Sequence, residues 1–99
     1  MGWELHITKR DFWADEDGES ISREDWIEYV NSDESIVRDS NNTEDDFLFR
    51  SGNEECPIWW NPDIGEIYTK NPSEATIQKF REIAAKLGAT VQDDDGEIY

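Results

Sequence analysis

The sequence predicts one α+β domain over residues 1–99, a mainly antiparallel β-sheet with two helices packed on one face. Several short segments alternate apolar and polar residues, as half-buried strands do, and two longer segments carry apolar residues at helical spacing. The strand-like segments between the two helices are joined by short, turn-rich connections that are typical of antiparallel hairpins. The order we predict is β-α-β-β-β-α-β, with an extra short strand at the end as an alternative.

The first predicted strand covers residues 3–9, WELHITK. Trp3, Leu5 and Ile7 alternate with polar residues, and this period of two places the three apolar side chains on one face. Residues 11–20, DFWADEDGES, break the pattern with an Asp-Gly pair and predict an acidic loop or a loose hairpin.

The first helix is predicted over residues 23–31. Ser22 is a favourable N-cap, and acidic residues occupy the first turn, where the helix dipole favours negative charge. Residues 35–39, SIVRD, and residues 47–50, FLFR, then predict two short strands on either side of a polar turn.

Two further strands are predicted over residues 56–60, CPIWW, and residues 65–70, GEIYTK. Because successive side chains of a strand point to opposite faces, Trp59 and Trp60 must lie on different sides of the sheet. One of them can belong to the core and the other to the surface. Alternatively both are buried, one against a helix and one under a loop.

The second helix is predicted to begin with Asn71 as its N-cap and Pro72 in the first helical position. Gly88 follows the last apolar residue of the helix, where a left-handed C-cap belongs. Residues 89–92 and 97–99 then predict a terminal strand or hairpin. The apolar stripe of this helix consists of Ile77, Phe80, Ala84 and Leu87.

The segment DDDGE at 93–97 has the residue types of a calcium loop without its full pattern. Asp93, Asp95 and Gly96 match the middle of an EF-hand loop, whereas the first ligand position falls on Val91. The flanking segments are strand-like rather than helical. The pattern therefore predicts a hairpin turn, with a weak cation site as the alternative.

The chain is strongly acidic, with 25 Asp and Glu against nine Lys and Arg and a formal net charge of −16. Such a surface accelerates encounters with basic partners. It also disfavours DNA and RNA, because each contact would add repulsion from the phosphates. We therefore predict a basic protein partner and no nucleic acid.

Metal and enzyme chemistry have little support in the sequence. Cys56 and His6 each occur once and cannot supply a Cys/His zinc site, although carboxylates could complete an irregular one. We expect Cys56 to be a small buried apolar residue and His6 to lie on the polar face of its strand. No phosphate loop, no nucleophile elbow and no distinctive carboxylate pair is present, so we predict no cofactor, no metal and no enzyme activity.

The cellular location follows from the same composition. A single cysteine cannot form an internal disulfide, so nothing indicates an oxidising compartment. No segment approaches the roughly 20 apolar residues of a membrane helix. We predict a soluble, cytoplasmic protein that does not bind membranes.

Aromatic residues set among acids are the distinctive feature of this chain. We predict Trp13 and Trp59 as anchors for a partner, because tryptophan is enriched among the residues that carry interface energy. Acids around such anchors would steer a cationic partner and set its register. The predicted contact residues are Trp13, Asp15, Glu16, Asp17, Glu19, Glu44, Asp45, Asp46, Trp59, Asp93, Asp94, Asp95 and Glu97.

Four stretches together resemble a family of small, acidic, largely uncharacterised bacterial proteins of similar length. These are W-E-L-H-I-T, S-R-E-D-W-I-E-Y-V, N-P-x-E-A-x-I-x-K and the ending L-G-A-T-V-Q-D-D-D-G-E-I-Y. Asp93 stands where that family tends to have glycine. In size and charge the chain is also similar to immunity proteins of bacterial polymorphic toxin systems, and this likeness implies a toxin as partner.

Two classes of function fit these observations. The first is an immunity protein that binds and neutralises a cognate basic toxin, with a nuclease favoured because nucleases present cationic clefts to an anionic substrate. The alternative is a nucleic-acid-mimicking or regulatory adaptor protein that binds basic proteins. Composition does not separate the two, and the oligomeric state stays open.

Overall fold

The computed structural model describes residues 2–43 and 46–99. Its elements, in chain order, are β1 (Glu4–Thr8), α1 (Arg23–Asn31), β2 (Ile36–Arg38), β3 (Asp46–Ser51), β4 (Glu54–Asn61), β5 (Glu66–Lys70), α2 (Glu74–Leu87) and β6 (Thr90–Asp93).

The strands form one six-stranded antiparallel sheet in the order β2-β3-β4-β5-β1-β6. The four strands between the helices pair with their sequence neighbours as a meander, and β1 lies between β5 and β6. The predicted α+β class is confirmed. The sequence patterns had marked all four strands of this meander, although the predicted order β-α-β-β-β-α-β counted three of them between the helices.

Both helices cover one face of the sheet. Alternate β1 side chains, Leu5 and Ile7, are completely buried against this side and share one apolar core with Trp26 of α1 and Phe80 and Ile83 of α2. Apolar residues at a period of two in the strand and at helical spacing in the helices therefore meet in a single layer.

Three of the four predicted helix boundaries are confirmed, and the start of α2 is wrong. Ser22 caps α1 by accepting a hydrogen bond from the Asp25 amide, and Gly88 ends α2 in the left-handed conformation with φ 68°. The N-cap of α2 is Ser73, not Asn71. Asn71 instead extends the pairing with β1, because its amide donates to the Trp3 carbonyl at 2.9 Å and its side chain accepts from the Trp3 amide at 3.2 Å.

The segment at 93–97 forms a turn, as predicted. The Asp93 amide donates to the Glu97 carbonyl and the Gly96 amide donates to the Asp93 carbonyl, each at 3.0 Å. The second arm is shorter than expected, because Ile98 forms only an isolated bridge with Gln92. Among the described residues, Asn71 is the one non-glycine residue with positive φ, so the backbone of the turn does not require a glycine at position 93.

Trp59 and Trp60 lie on opposite faces, as predicted. Trp60 is half-buried on the helix side, where its indole N–H donates to the Ile21 carbonyl at 2.9 Å. Trp59 is half-buried on the other side and packs against Tyr68 with ring centroids 5.3 Å apart. Neither ring is fully buried, so the alternative with both tryptophans inside the protein is wrong.

Within the described ranges, neither helix has the length and apolar character needed to cross a membrane.

Asp33 joins the end of α1 to α2. Its carboxylate accepts hydrogen bonds from the Tyr29 hydroxyl at 2.7 Å, from the Ser35 hydroxyl and amide at 2.6 and 3.0 Å, and from the Lys79 ammonium at 3.0 Å. Burial alone would raise the pKa of Asp33, but the hydrogen bonds from Ser35, Tyr29 and Lys79 outweigh it and hold that pKa well below its usual range.

Replacement of Asp33 by Asn should therefore lower the free energy of unfolding at pH 7 by about 2 kcal/mol. The loss should shrink as the pH falls below about 4, because there the carboxyl of the unfolded wild-type chain takes up a proton while the folded one does not. Urea unfolding of both proteins from pH 7 to pH 3 measures this. Glu34→Gln, which changes an exposed neighbour, is the control, and an equal loss in both variants would contradict the role of Asp33.

Candidate functional site

The face of the sheet opposite the helices is called the open face here. Its side chains form a row across four strands, because Trp59 pairs with Tyr68, Tyr68 with His6, and His6 with Gln92. The open face includes Glu4, His6, Thr8, Leu48, Pro57, Trp59, Glu66, Tyr68 and Gln92, by their alternation with the core residues.

His6 lies on the polar face of β1, as predicted, but it is completely buried. The Trp13 ring stacks on it with centroids 3.8 Å apart and planes only 6° apart. A carboxylate faces each ring nitrogen: Nδ1 lies 3.0 Å from Oε1 of Glu66, and Nε2 lies 3.0 Å from Oδ1 of Asp94. A second carboxylate oxygen, Oε1 of Glu4, lies 3.8 Å from Nε2.

These contacts shift the pKa values of the groups involved. Burial by itself would lower the pKa of His6, but hydrogen bonds to Glu66 and Asp94 outweigh it and raise that pKa. Burial raises the pKa of Glu66, assisted by the charges of Glu4 and Asp94 and partly offset by the bond to His6. The pKa of Asp94 is lowered, because its bonds to His6 and to the Glu4 amide outweigh its burial. The cluster therefore places three carboxyl groups around one imidazole ring.

Arg10 holds the loop that carries Trp13 over the sheet. Its guanidinium donates to the Asp15 carbonyl, to the Glu19 carbonyl at 3.1 Å and to the Ser20 hydroxyl at 3.1 Å. One buried cation thus satisfies two backbone carbonyls of a segment that has no helix or strand of its own.

Gln92 fastens the same loop to β6. Its side-chain oxygen accepts from the Trp13 amide at 3.0 Å, and its side-chain nitrogen donates to the Asp11 carbonyl at 3.1 Å. The indole N–H of Trp13 also donates to the Asp94 carbonyl at 3.2 Å. Trp13 is therefore fixed at both its backbone and its ring, and it covers His6.

The aromatic pair of Trp59 and Tyr68 lies beside this cluster and stays half-exposed. The pKa of Tyr68 is raised, first by burial and then by the negative charges of Glu4, Glu66 and Asp46. These two rings therefore present apolar surface to solvent within a negative field.

The structure brings together some of the predicted contact residues. Trp13 and Asp94 meet at His6, and Trp59 lies in the same row of the open face through Tyr68. Glu16, Asp17 and Glu19 on the Trp13 loop and Asp95 and Glu97 in the terminal turn are exposed.

Other predicted acids have roles within the chain. Asp15 accepts from the Phe12 amide, Asp46 from the Thr43 amide and hydroxyl, and Asp93 from the amides of the terminal turn. Their contact with a partner stays a prediction. Glu44 and Asp45 lie outside the described residues.

Glu4, His6 and Asp94 could hold a metal ion, because each offers one ligand atom and these atoms all lie within 4.8 Å of one another. Cys56 takes no part in this group. It is half-buried on the helix side, where its sulfur lies 3.2 Å from the Thr69 hydroxyl.

Sequence reasoning missed Glu66, Arg10 and Gln92. Period-two alternation assigns Glu66 and Gln92 to a solvent-facing side, since it reports the face of a strand and not what covers that face. For Arg10, the sequence did offer a signal, because an arginine stands directly before an acidic loop that contains a tryptophan.

Comparison of the chain with protein-family models, with curated proteins and with solved structures finds no match.

Replacement of Arg10 by Met keeps the apolar stem of the side chain and removes its hydrogen bonds to the loop. We expect the free energy of unfolding to fall by about 2–3 kcal/mol, because two carbonyls lose a charged donor. The proton shifts of the His6 ring should also change as Trp13 leaves it. Urea unfolding and NMR measure the two effects.

Lys9→Met removes the same charge one residue earlier and is the matched control. The role of Arg10 would be contradicted by equal destabilisation in the two variants, or by unchanged His6 ring shifts in Arg10→Met.

Proposed function

We propose that this protein is an immunity protein that binds a cognate basic toxin through the open face and neutralises it. The observation that carries the proposal is the half-exposed pair of Trp59 and Tyr68 inside the negative field of Glu4, Glu66 and Asp46. Exposed aromatic rings supply contact area at low entropic cost, and acids around them favour a cationic partner.

Net charge supports a basic partner in particular. At −16 over 99 residues, the whole molecule attracts cations from beyond contact distance and repels nucleic acid. A nuclease fits this chemistry well among toxins, because its own active cleft is built to attract phosphates. An acidic protein that occupies such a cleft competes directly with the substrate.

Rigidity of the surface also supports binding. Trp13 is held by Gln92, by Asp94 and by its stack on His6, so this part of the open face is ordered before any partner arrives. A preorganised surface loses less entropy on association and gains affinity accordingly.

The experiment begins with the gene beside the one that encodes this chain, which we expect to encode a large secreted protein with a basic C-terminal domain. That domain should arrest the growth of a bacterial host, and co-expression of this chain should restore it. Arrested growth with both proteins present would contradict the proposal.

Titration against unrelated basic proteins, such as lysozyme and histones, separates immunity from nucleic-acid mimicry. An immunity protein should bind its toxin with sub-nanomolar affinity that survives high salt, and should bind the unrelated proteins weakly. Comparable binding to all of them, with a steep salt dependence, would favour the adaptor instead.

Charge reversal of Glu16 and Asp17 to Lys should slow association with the toxin domain by about tenfold at low salt, because both acids are exposed on the Trp13 loop. Glu28→Lys with Glu34→Lys, on and just after α1, makes the same charge change on the helix side. Stopped-flow association rates compare the pairs, and equal slowing by both would remove the Trp13 loop from the interface.

Replacement of Trp59 by Ala should weaken the complex by at least about 2 kcal/mol, chiefly through faster dissociation. Ile27→Ala removes a half-buried apolar side chain from α1, on the helix side of the sheet, and is the control. Calorimetry of both variants measures the difference, and an unchanged Kd for Trp59→Ala would place the interface elsewhere.

A further inference from the structure

The carboxylates around His6 are not explained by the binding of a toxin. Glu66 is itself buried, and both of its carboxylate oxygens lie near Nδ1 of the ring, at 3.0 and 3.2 Å. A carboxylate in this position accepts the Nδ1 proton and fixes the tautomer. The lone pair of Nε2 is then directed at Asp94 and Glu4, which can only accept hydrogen bonds while ionised.

An unprotonated Nε2 and a carboxylate oxygen 3.0 Å from it are two acceptors in contact, which calls for a shared positive charge. A proton on Nε2 supplies that charge between the two atoms, whereas a metal ion bound by both would lie to one side of the line that joins them. Glu4, Glu66 and Asp94 surround the ring with three carboxyl groups, and this arrangement favours a cation at the site. A proton on Nε2 supplies one positive charge, whereas a divalent metal ion supplies two.

The spacing of the ligand atoms fits a metal ion. Two atoms bound tetrahedrally at about 2.1 Å from zinc lie about 3.4 Å apart. Nε2 of His6 lies 3.0 Å from Oδ1 of Asp94 and 3.8 Å from Oε1 of Glu4, on either side of that spacing. All three ligand atoms lie within 4.8 Å of one another, so small shifts of the Glu4 and Asp94 side chains would let them surround a cation.

We propose that Glu4, His6 and Asp94 bind a divalent transition-metal cation, with zinc as the ion that suits the site. An imidazole with two carboxylates is a ligand set that zinc accepts, and it is less suited to calcium or magnesium, which prefer oxygen ligands throughout. Glu66 is not a ligand of the metal; its carboxylate accepts the Nδ1 proton of His6 and so orients the ring.

The site is accessible to an ion from solvent. The side chains of Asp94 and Glu4 are 45% and 33% exposed, whereas His6 is enclosed by Trp13 and Glu66. Three protein ligands leave a fourth zinc position on the solvent side, where water can bind. Because Glu4 belongs to β1 and Asp94 to the terminal turn, a bound ion would tie these two segments together.

The test uses the full chain, freed of metal with a chelator and titrated with zinc chloride. Calorimetry should show one zinc per chain. At a free zinc concentration about 100 times the Kd, the Tm should rise by about 10 °C. Magnesium at the same concentration should leave the Tm unchanged, and an equal rise with magnesium would overturn the proposal in favour of general charge screening.

Asp94→Asn should weaken zinc binding by at least about tenfold, and Glu66→Gln by about 10- to 100-fold. Asp95→Asn makes the same charge change on the adjacent exposed acid and should bind zinc like the wild type. Equal affinities in Asp94→Asn and Asp95→Asn would overturn the site. Glu4→Gln gives a second ligand variant if Asp94→Asn fails to fold.

The ring of His6 provides a direct readout, because the chain has one histidine and its signals need no assignment. In long-range ¹H–¹⁵N spectra, saturating zinc should leave a proton on Nδ1 only and move the Nε2 resonance. A ring that keeps protons on both nitrogens at saturating zinc would overturn the proposal and leave the proton as the only bridging cation.

Discussion

The stack of Trp13 on His6 is the contact on which the open face depends. It turns a polar-face histidine into a completely buried ring, and burial makes the carboxylates at its two nitrogens necessary. Arg10 and Gln92 hold the covering loop in place through hydrogen bonds to its backbone. Without this loop, water would reach the His6 ring, and the ring would no longer need a carboxylate at each nitrogen.

The two faces of the sheet are stabilised by different forces. On the helix side, residues such as Leu5 and Phe80 are fully buried in an apolar core that needs no charge. On the open face, the buried residues include His6, Glu66 and Gln92, and their stability comes from complete hydrogen bonding. The open face is therefore sensitive to pH and to the loss of single polar groups, whereas the core responds mainly to changes in volume.

The charge of the chain acts against its own stability. A net charge of −16 repels itself in the compact state, and the structure offsets part of this with internal donors such as Arg10 and Lys79. Exposed acids such as Glu16, Asp17 and Asp95 add to this repulsion. A cationic partner or a metal ion would relieve the same repulsion, so both proposals follow from one electrostatic cause.

Local patterns were sufficient for most of the fold. Period-two alternation located the strands and placed Trp59 and Trp60 on different faces, and helical spacing with Ser22 and Gly88 located the helices. The start of α2 was wrong because Asn71 has the residue type of an N-cap but is occupied by its pairing with Trp3. A sequence pattern does not reveal that a polar side chain already has a partner elsewhere.

The sequence by itself determined the fold class, the negative charge and the presence of aromatic residues among acids, because these follow from composition and from neighbours within a few residues. Only the tertiary structure decided that His6 is buried and that Glu4, Glu66 and Asp94 surround it. Those groups come from β1, β5 and the terminal turn, up to 90 positions apart in the chain. Their meeting depends on strand order and on the path of a loop, and neither is encoded in local periodicity.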